Sequence, residues 1–204
     1  MSSLRKLLDE LVKSPPGPSP SFTSTQMLDL LLYLGKEAPI GRKKLSHSLG
    51  IGEGVIRNML NRFVKAGIVK ITDKGCILTT RGMKIYKYIS DIVREVGPLD
   101  IEIPWNCLYN FTVVVKKRSH LIKKGLEQRD AAIKGDAEAA IIMTYVDGKL
   151  HMPSVSVLSD ERPEFALKLI EKVKPEEGDV IIIVGASDLN KARHGSLAAA
   201  QTLL

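Results

Sequence analysis

GRKKLSHSLGIGEGVIRNMLNRFVKAGIVKITDKGCILTTRG, residues 41–82, is the stretch whose reading settles the first half of the chain. It divides into a helix, a turn, a second helix and a two-stranded wing. In the second helix, 52–66, Ile56, Leu60 and Phe63 recur at i, i+4 and i+7 and make one face apolar. Arg57, Asn58, Asn61, Arg62 and Lys65 fall around the other side, a polar and basic face. Side chains of these types reach base edges and phosphates when a helix lies in a major groove. Gly67 stands where a C′ glycine ends a helix. Residues 68–72 and 76–79 are rich in β-branched side chains and flank Asp73-Lys74-Gly75, a glycine-containing hairpin turn. A plain three-helix core shows the same apolar spacing but has neither a wing nor a one-sided basic face. The stretch therefore reads as a winged helix-turn-helix.

Outward from it, residues 24–97 complete this domain. Thr25 starts its first helix, with Met27, Leu28, Leu31, Leu32 and Leu34 on the buried face. Pro39 closes the connection, and Gly41 opens the next helix with Leu45 and Leu49 turned inward. Arg42, Lys43 and Lys44 crowd that helix's N-terminal end, where cations are slightly unfavourable. An outside anion such as a backbone phosphate accounts for them; a solvated basic turn is the bland alternative. Lys70 and Lys74 would set the wing on the backbone or in the minor groove. Residues 82–96 read as a further helix with Ile85, Tyr88, Ile89, Ile92, Val93 and Val96 in a stripe, expected to contribute to a homodimer contact. Residues 1–23 hold a short helix over 2–14, which Ser2 or Ser3 can cap. Its Leu4, Leu7, Leu8, Leu11 and Val12 need cover from its own domain or from a partner. The Pro-rich strap over 14–21 then favours extended polyproline geometry.

Residues 98–204 form the other domain. Strands are expected at 111–116 and 179–185, and a hairpin of 139–146 with 149–152 around Asp147-Gly148, a pair suited to a type I′ turn. Helices are expected over 120–134, 163–173 and 188–204. This order describes a two-layer α/β domain with helices on one face of a mixed sheet, and the chain as a whole is α+β.

Charge separates the halves. Residues 1–97 carry 16 Lys or Arg against 8 Asp or Glu, and residues 98–204 carry 14 against 15. The whole positive excess lies with the helix-turn-helix, the footprint expected of a polyanion's partner, whether DNA, RNA or an anionic membrane. Cys76 and Cys107 have no metal-ligand spacing and read as small buried residues, and the four histidines are scattered; no metal or cofactor is expected. No N-terminal apolar stretch resembles a signal peptide, and no run reaches the ~18 residues of a membrane span. A cytoplasmic, reduced protein is the expectation.

Three features of the second domain invite a chemical reading. Gln128, Arg129 and Asp130, following Glu127, could hold a small polar ligand, with Arg129 on a carboxylate or phosphate; an exposed helix face with local ion pairs is the plainer account. Ser187 and Asp188, after Gly185-Ala186, form a strand-to-helix junction of the kind that binds anions, or simply an N-cap. Lys116-Lys117-Arg118 reads as a solvated edge. No nucleophile is assembled with a base, and no Gly-x-Ser-x-Gly or P-loop run occurs, so no catalytic residue is expected. An enzyme would need 127–130 and 185–188 to line one cleft.

GPSPSF at 17–22, GRKKLSHSLGIGEGVIRNML at 41–60, EQRDAAIKG at 127–135 and DGKLHMP at 147–153 together resemble a group of uncharacterised archaeal proteins. These pair an N-terminal winged helix with a C-terminal domain similar to the GAD domain of bacterial aspartyl-tRNA synthetases and of a tRNA-dependent amidotransferase subunit. The resemblance spans nearly the whole chain and implies a two-layer, GAD-like α/β arrangement for 99–204. It brings no activity, ligand or site residue with it. The expectation that follows is a transcriptional regulator binding double-stranded DNA as a homodimer, its second domain sensing a small-molecule effector, dimerising, or both. The alternative is an adaptor or assembly protein whose winged helix binds protein or structured RNA.

Overall fold

The computed structural model describes residues 2–13 and 20–204, and the backbone alone at Ser2 and Ser3; the expected cap there and most of the proline strap lie outside the described residues. The chain divides into two compact units between Ser90 and Asp91.

In the first unit, α1 (Ser2–Val12) packs on α2 (Ser24–Glu37), burying Leu4, Leu8 and Leu11. The leucine-rich helix thus finds cover within its own unit. Helix α2 begins in a capping box: the Thr23 hydroxyl accepts from the Gln26 N–H, and the Gln26 Oε1 accepts from the Thr23 N–H. Its Met27, Leu28, Leu31 and Leu34 are shut off from water. Next come α3 (Arg42–Leu49) and α4 (Glu53–Lys65), then the wing, β1 (Val69–Thr72) and β2 (Gly75–Leu78), paired antiparallel with Thr72 opposite Gly75. The turn is the two residues Asp73 and Lys74, one shorter than expected. A bridge between Ile40 and Cys76 ties the wing back to the entry of α3. Gly67 sits at φ +68°, a left-handed conformation in which a Cβ is strained, so α4 stops there and the chain reverses into β1.

Helix α5 (Thr80–Ile92) starts and stops earlier than its periodicity predicts. Residues 93–96, expected as its last turn, belong instead to β3 (Val93–Gly97), paired antiparallel with β4 (Tyr109–Val115). The division therefore falls seven residues before the expected 97/98 boundary. Ile92, Val93 and Val96 satisfy helical spacing, but β-branched residues pack equally well on a strand, and pairing with distant β4 decides. Tyr88, assigned to the apolar stripe, is exposed, whereas Tyr86 packs against Gly35.

The second unit continues with a single 3₁₀ turn at Ser119–Leu121, α6 (Leu126–Lys134), β5 (Ala139–Val146), β6 (Lys149–Met152), β7 (Ser156–Val157), α7 (Leu158–Glu161), α8 (Pro163–Val173), β8 (Val180–Ala186) and α9 (Leu189–Gln201). Only the second half of the helix expected over 120–134 is α-helical. Among the described residues the strands make one six-stranded sheet in the order β3-β4-β8-β5-β6-β7. Every pairing is antiparallel where a mixed sheet was expected. Asp147 and Gly148 both have positive φ, as a type I′ turn requires.

Helices cover both faces of this sheet rather than one. Ile181 and Ile183 of β8 cluster with Val114, Met143 and the Ala166, Leu169 and Val173 of α8. Successive strand residues point to opposite faces. On the second face α9 lies against β4 and β8, with Gly195 beside Val184. Glu95 of β3 and Arg193 of α9 form an ion pair of 2.9 Å, almost closed to solvent. The buried carboxylate of Asp179 accepts N–H bonds from Lys117 and Glu176, one at each oxygen, closing the sheet's end without leaving either oxygen unsatisfied.

His194, on α9, has its pKa lowered below the usual imidazole value by burial, against opposing contributions from Asp136 and the Gly135 backbone. The unfolded chain takes up that proton first as pH falls. The stability it protects is therefore complete above the unfolded pKa and lost as pH drops through the lower folded value. Trp105, the chain's single tryptophan, packs within this unit and reports on it. Its fluorescence should show a melting midpoint that falls as pH is lowered below about 6.5, with a shallower fall in His194→Gln.

Candidate nucleic-acid interface

Helix α4 buries Ile56, Met59, Leu60 and Phe63, which anchor it on the rest of the first unit. Its opposite surface leaves Arg57, Asn58, Asn61 and Lys65 exposed. Arg42, Lys43 and Lys44 are exposed on the first turn of α3, and Lys70 and Lys74 on the wing. Between these elements runs an open groove of about 460 Å³. Arg42 from α3, Arg57 and Asn61 from α4, and Lys74 with Asp73 from the wing line it, over a floor that includes Leu60 and Cys76. Arg42 lies near enough to Cys76 for its charge to oppose the upward push that burial gives the thiol. Ile71, an exposed apolar residue of the wing, lines the groove too.

Arg62, expected among the outward readers, is turned inward instead: its Nη1 donates to the carbonyls of Leu11 and Lys13, both at 2.7 Å. Its guanidinium also lies 5.2 Å from the centroid of the Phe22 ring. These carbonyls belong to the C-terminal end of α1, where no later helical N–H exists to take them. Arg62 is therefore a tie holding α1 to α4. No local signal reveals this, because the partner lies some fifty residues away in the chain.

In the second unit the candidate ligand residues do not meet. Gln128 is buried and its Nε2 donates to the Thr202 hydroxyl at 2.8 Å, joining α6 to the end of α9. Arg129 and Asp130 are exposed and lie 3.7 Å apart as a neighbouring ion pair. Asp188 caps α9 by accepting from the Lys191 N–H, and Ser187 accepts a long bond from Lys191 Nζ. Gln128 sits at one end of α9 and Asp188 at the other, roughly 20 Å apart at the helical rise of 1.5 Å per residue. The small residue at Gly185 also has a packing reason, since a Cβ there would come within 2.7 Å of Cys107 Sγ and 2.9 Å of the Trp105 ring.

A winged-helix unit followed by an antiparallel α+β unit is thus the class of protein in hand. Comparison with known proteins narrows it. Residues 27–84 match the PH0730-like N-terminal domain, and residues 107–203 match a domain of unknown function, DUF4443. The hypothetical protein PH0730 from Pyrococcus horikoshii OT3 has a solved structure to which this chain is 31% identical. The two superpose with a TM-score of 0.69 over 90% of this chain and 93% of that one. The chain belongs to the PH0730-like family. It is also similar to central glycolytic genes regulators: 34% identical over 68 residues to that of Bacillus subtilis, and 28% over 95 residues to that of Priestia megaterium. The chain spans only 20% and 25% of the length of those two relatives. Among the described residues no helix is long and apolar enough to cross a membrane.

Replacing Arg62 by Ala should cost about 2 kcal/mol of stability, the scale of a charged hydrogen bond. Hydrogen exchange should then quicken at the α1 amides while the α4 amides stay protected; unchanged α1 protection would refute the tie.

Proposed function

We propose that this protein is a transcriptional regulator that binds double-stranded DNA through its winged-helix unit. The observation that carries this reading is the groove in which Arg42, Arg57, Asn61 and Lys74 converge from three separate elements. Arginine pairs with guanine O6 and N7, and asparagine with adenine N6 and N7, so Arg57, Asn58 and Asn61 are the base readers. Arg42, Lys43, Lys44 and Lys65 hold phosphates, and Lys70 and Lys74 seat the wing. The similarity to central glycolytic genes regulators supports the same reading. A homodimer would present two such helices to half-sites ~34 Å apart. The second unit would sense an effector, join the copies, or both; its role is non-catalytic. The GAD likeness of that unit rests on the sequence resemblance and carries no part of this reading.

Footprinting on the DNA upstream of the protein's own gene tests it, and separates a DNA regulator from an adaptor that binds protein or structured RNA. Arg57→Ala and Asn61→Ala should each cost ~1–3 kcal/mol on the specific site and relax the sequence preference at one position. Lys43→Ala or Lys44→Ala should weaken all duplexes alike and reduce the salt slope by ~1. Undiminished binding by an Arg57→Ala, Asn61→Ala double variant would overturn the docking.

A further inference from the structure

A second open cavity, of about 410 Å³, lies wholly within the second unit, beside α8. That volume falls within the ~300–1,000 Å³ usual for small-molecule sites. Its floor is apolar, with Ile141 of β5, Leu158 of α7 and Phe165 of α8. Its rim carries both signs of charge: Glu102 from the segment after β3, and Arg162, Glu164 and Lys168 at the start of α8. Glu164 and Lys168 stand at i and i+4, where opposite charges on a helix commonly pair. Among the described residues, however, none of the four makes an ion pair within 4 Å. Helix α8 also begins without a side-chain cap, its N-cap position being Arg162 itself. Pro163 has no N–H and the Arg162 N–H is taken by the Leu158 carbonyl, so the Glu164 and Phe165 N–H groups are the first-turn donors open to an acceptor beside that guanidinium.

An anionic ligand would use Arg162 and Lys168 but meet the field of Glu102 and Glu164. A cationic one would face the reverse. A neutral apolar ligand would engage only the floor. A zwitterion uses both signs. We propose that this cavity binds a small zwitterion with an apolar body, of the chemistry of a free hydrophobic α-amino acid. Its carboxylate lies toward Arg162 and the open first turn of α8, its ammonium toward Glu102, and its side chain on the apolar floor. As the effector site of a regulator the cavity rests on the function proposed above; as a binding site it does not.

Isothermal titration of the full chain without DNA tests this, using L-phenylalanine and L-leucine. 3-Phenylpropionate and 2-phenylethylamine serve as analogues of one charge each. L-phenylalanine should bind saturably at a single site, with L-leucine binding there too. L-phenylalanine should bind at least about tenfold more tightly than either one-charge analogue. Arg162→Gln and Glu102→Gln should each weaken amino-acid binding by about tenfold or more, with an unchanged melting temperature because both side chains are exposed. Absence of saturable binding by both amino acids below roughly 10 mM, phenylalanine bound no tighter than either analogue, or affinity retained in both variants would overturn the proposal. Amino-acid binding by a protein that binds no DNA would uphold the site and remove only the regulator reading.

Discussion

Ile56, Met59, Leu60 and Phe63 have almost no access to water, and their burial decides what the remainder of α4 can do. A helix turns about 100° per residue, so once one face is committed every other side chain has a direction. Arg57 and Asn61, four residues apart, share the side that faces the wing and the start of α3, and they line one groove with Arg42 and Lys74. Arg62, one residue further on, is rotated toward α1 and is consumed there. Neighbours of similar chemistry thus acquire opposite roles. One offers its charge to the outside, and the other satisfies carbonyls that would otherwise lack donors.

The second unit rests on a comparable commitment in its sheet. Every residue of β8, from Val180 to Ala186, is buried, so both faces of the strand must be covered. Helix α8 supplies one cover. The small residues of α9 let that helix approach the other face closely, as Gly195 does at Val184. Burial on both faces is common in parallel sheets, which makes a mixed sheet a natural expectation for such a strand. Here the neighbours β4 and β5 both run antiparallel to it.

The two units differ in the surfaces they offer. The first gathers cations around a groove built from three elements, which suits a polyanion. The second is close to neutral overall and offers a cavity with an apolar floor and a rim of mixed sign. The likeness to PH0730 extends over 90% of this chain and so takes in residues of both units.

Much of this could be read from local pattern. The period of Ile56, Leu60 and Phe63, the glycine after α4 and the β-branched runs on either side of Asp73-Lys74-Gly75 specify helix, stop and wing through forces acting within a few residues. The Asp147-Gly148 hairpin and the helix from Pro163 follow from the same short-range chemistry. Long-range pairing decided the rest. Residues 93–97 fit helix or strand until β4 is beside them, and Arg62 fits a reader until the end of α1 is beside it. Gln128 looks like a ligand group until Thr202 takes its bond. Backbone preference and apolar period act over one or two turns of chain, so the sequence by itself determined the elements of the winged helix and its outward basic face. Which polar groups are left for a ligand depends on partners brought together from fifty to a hundred residues apart, and only the tertiary structure could decide that.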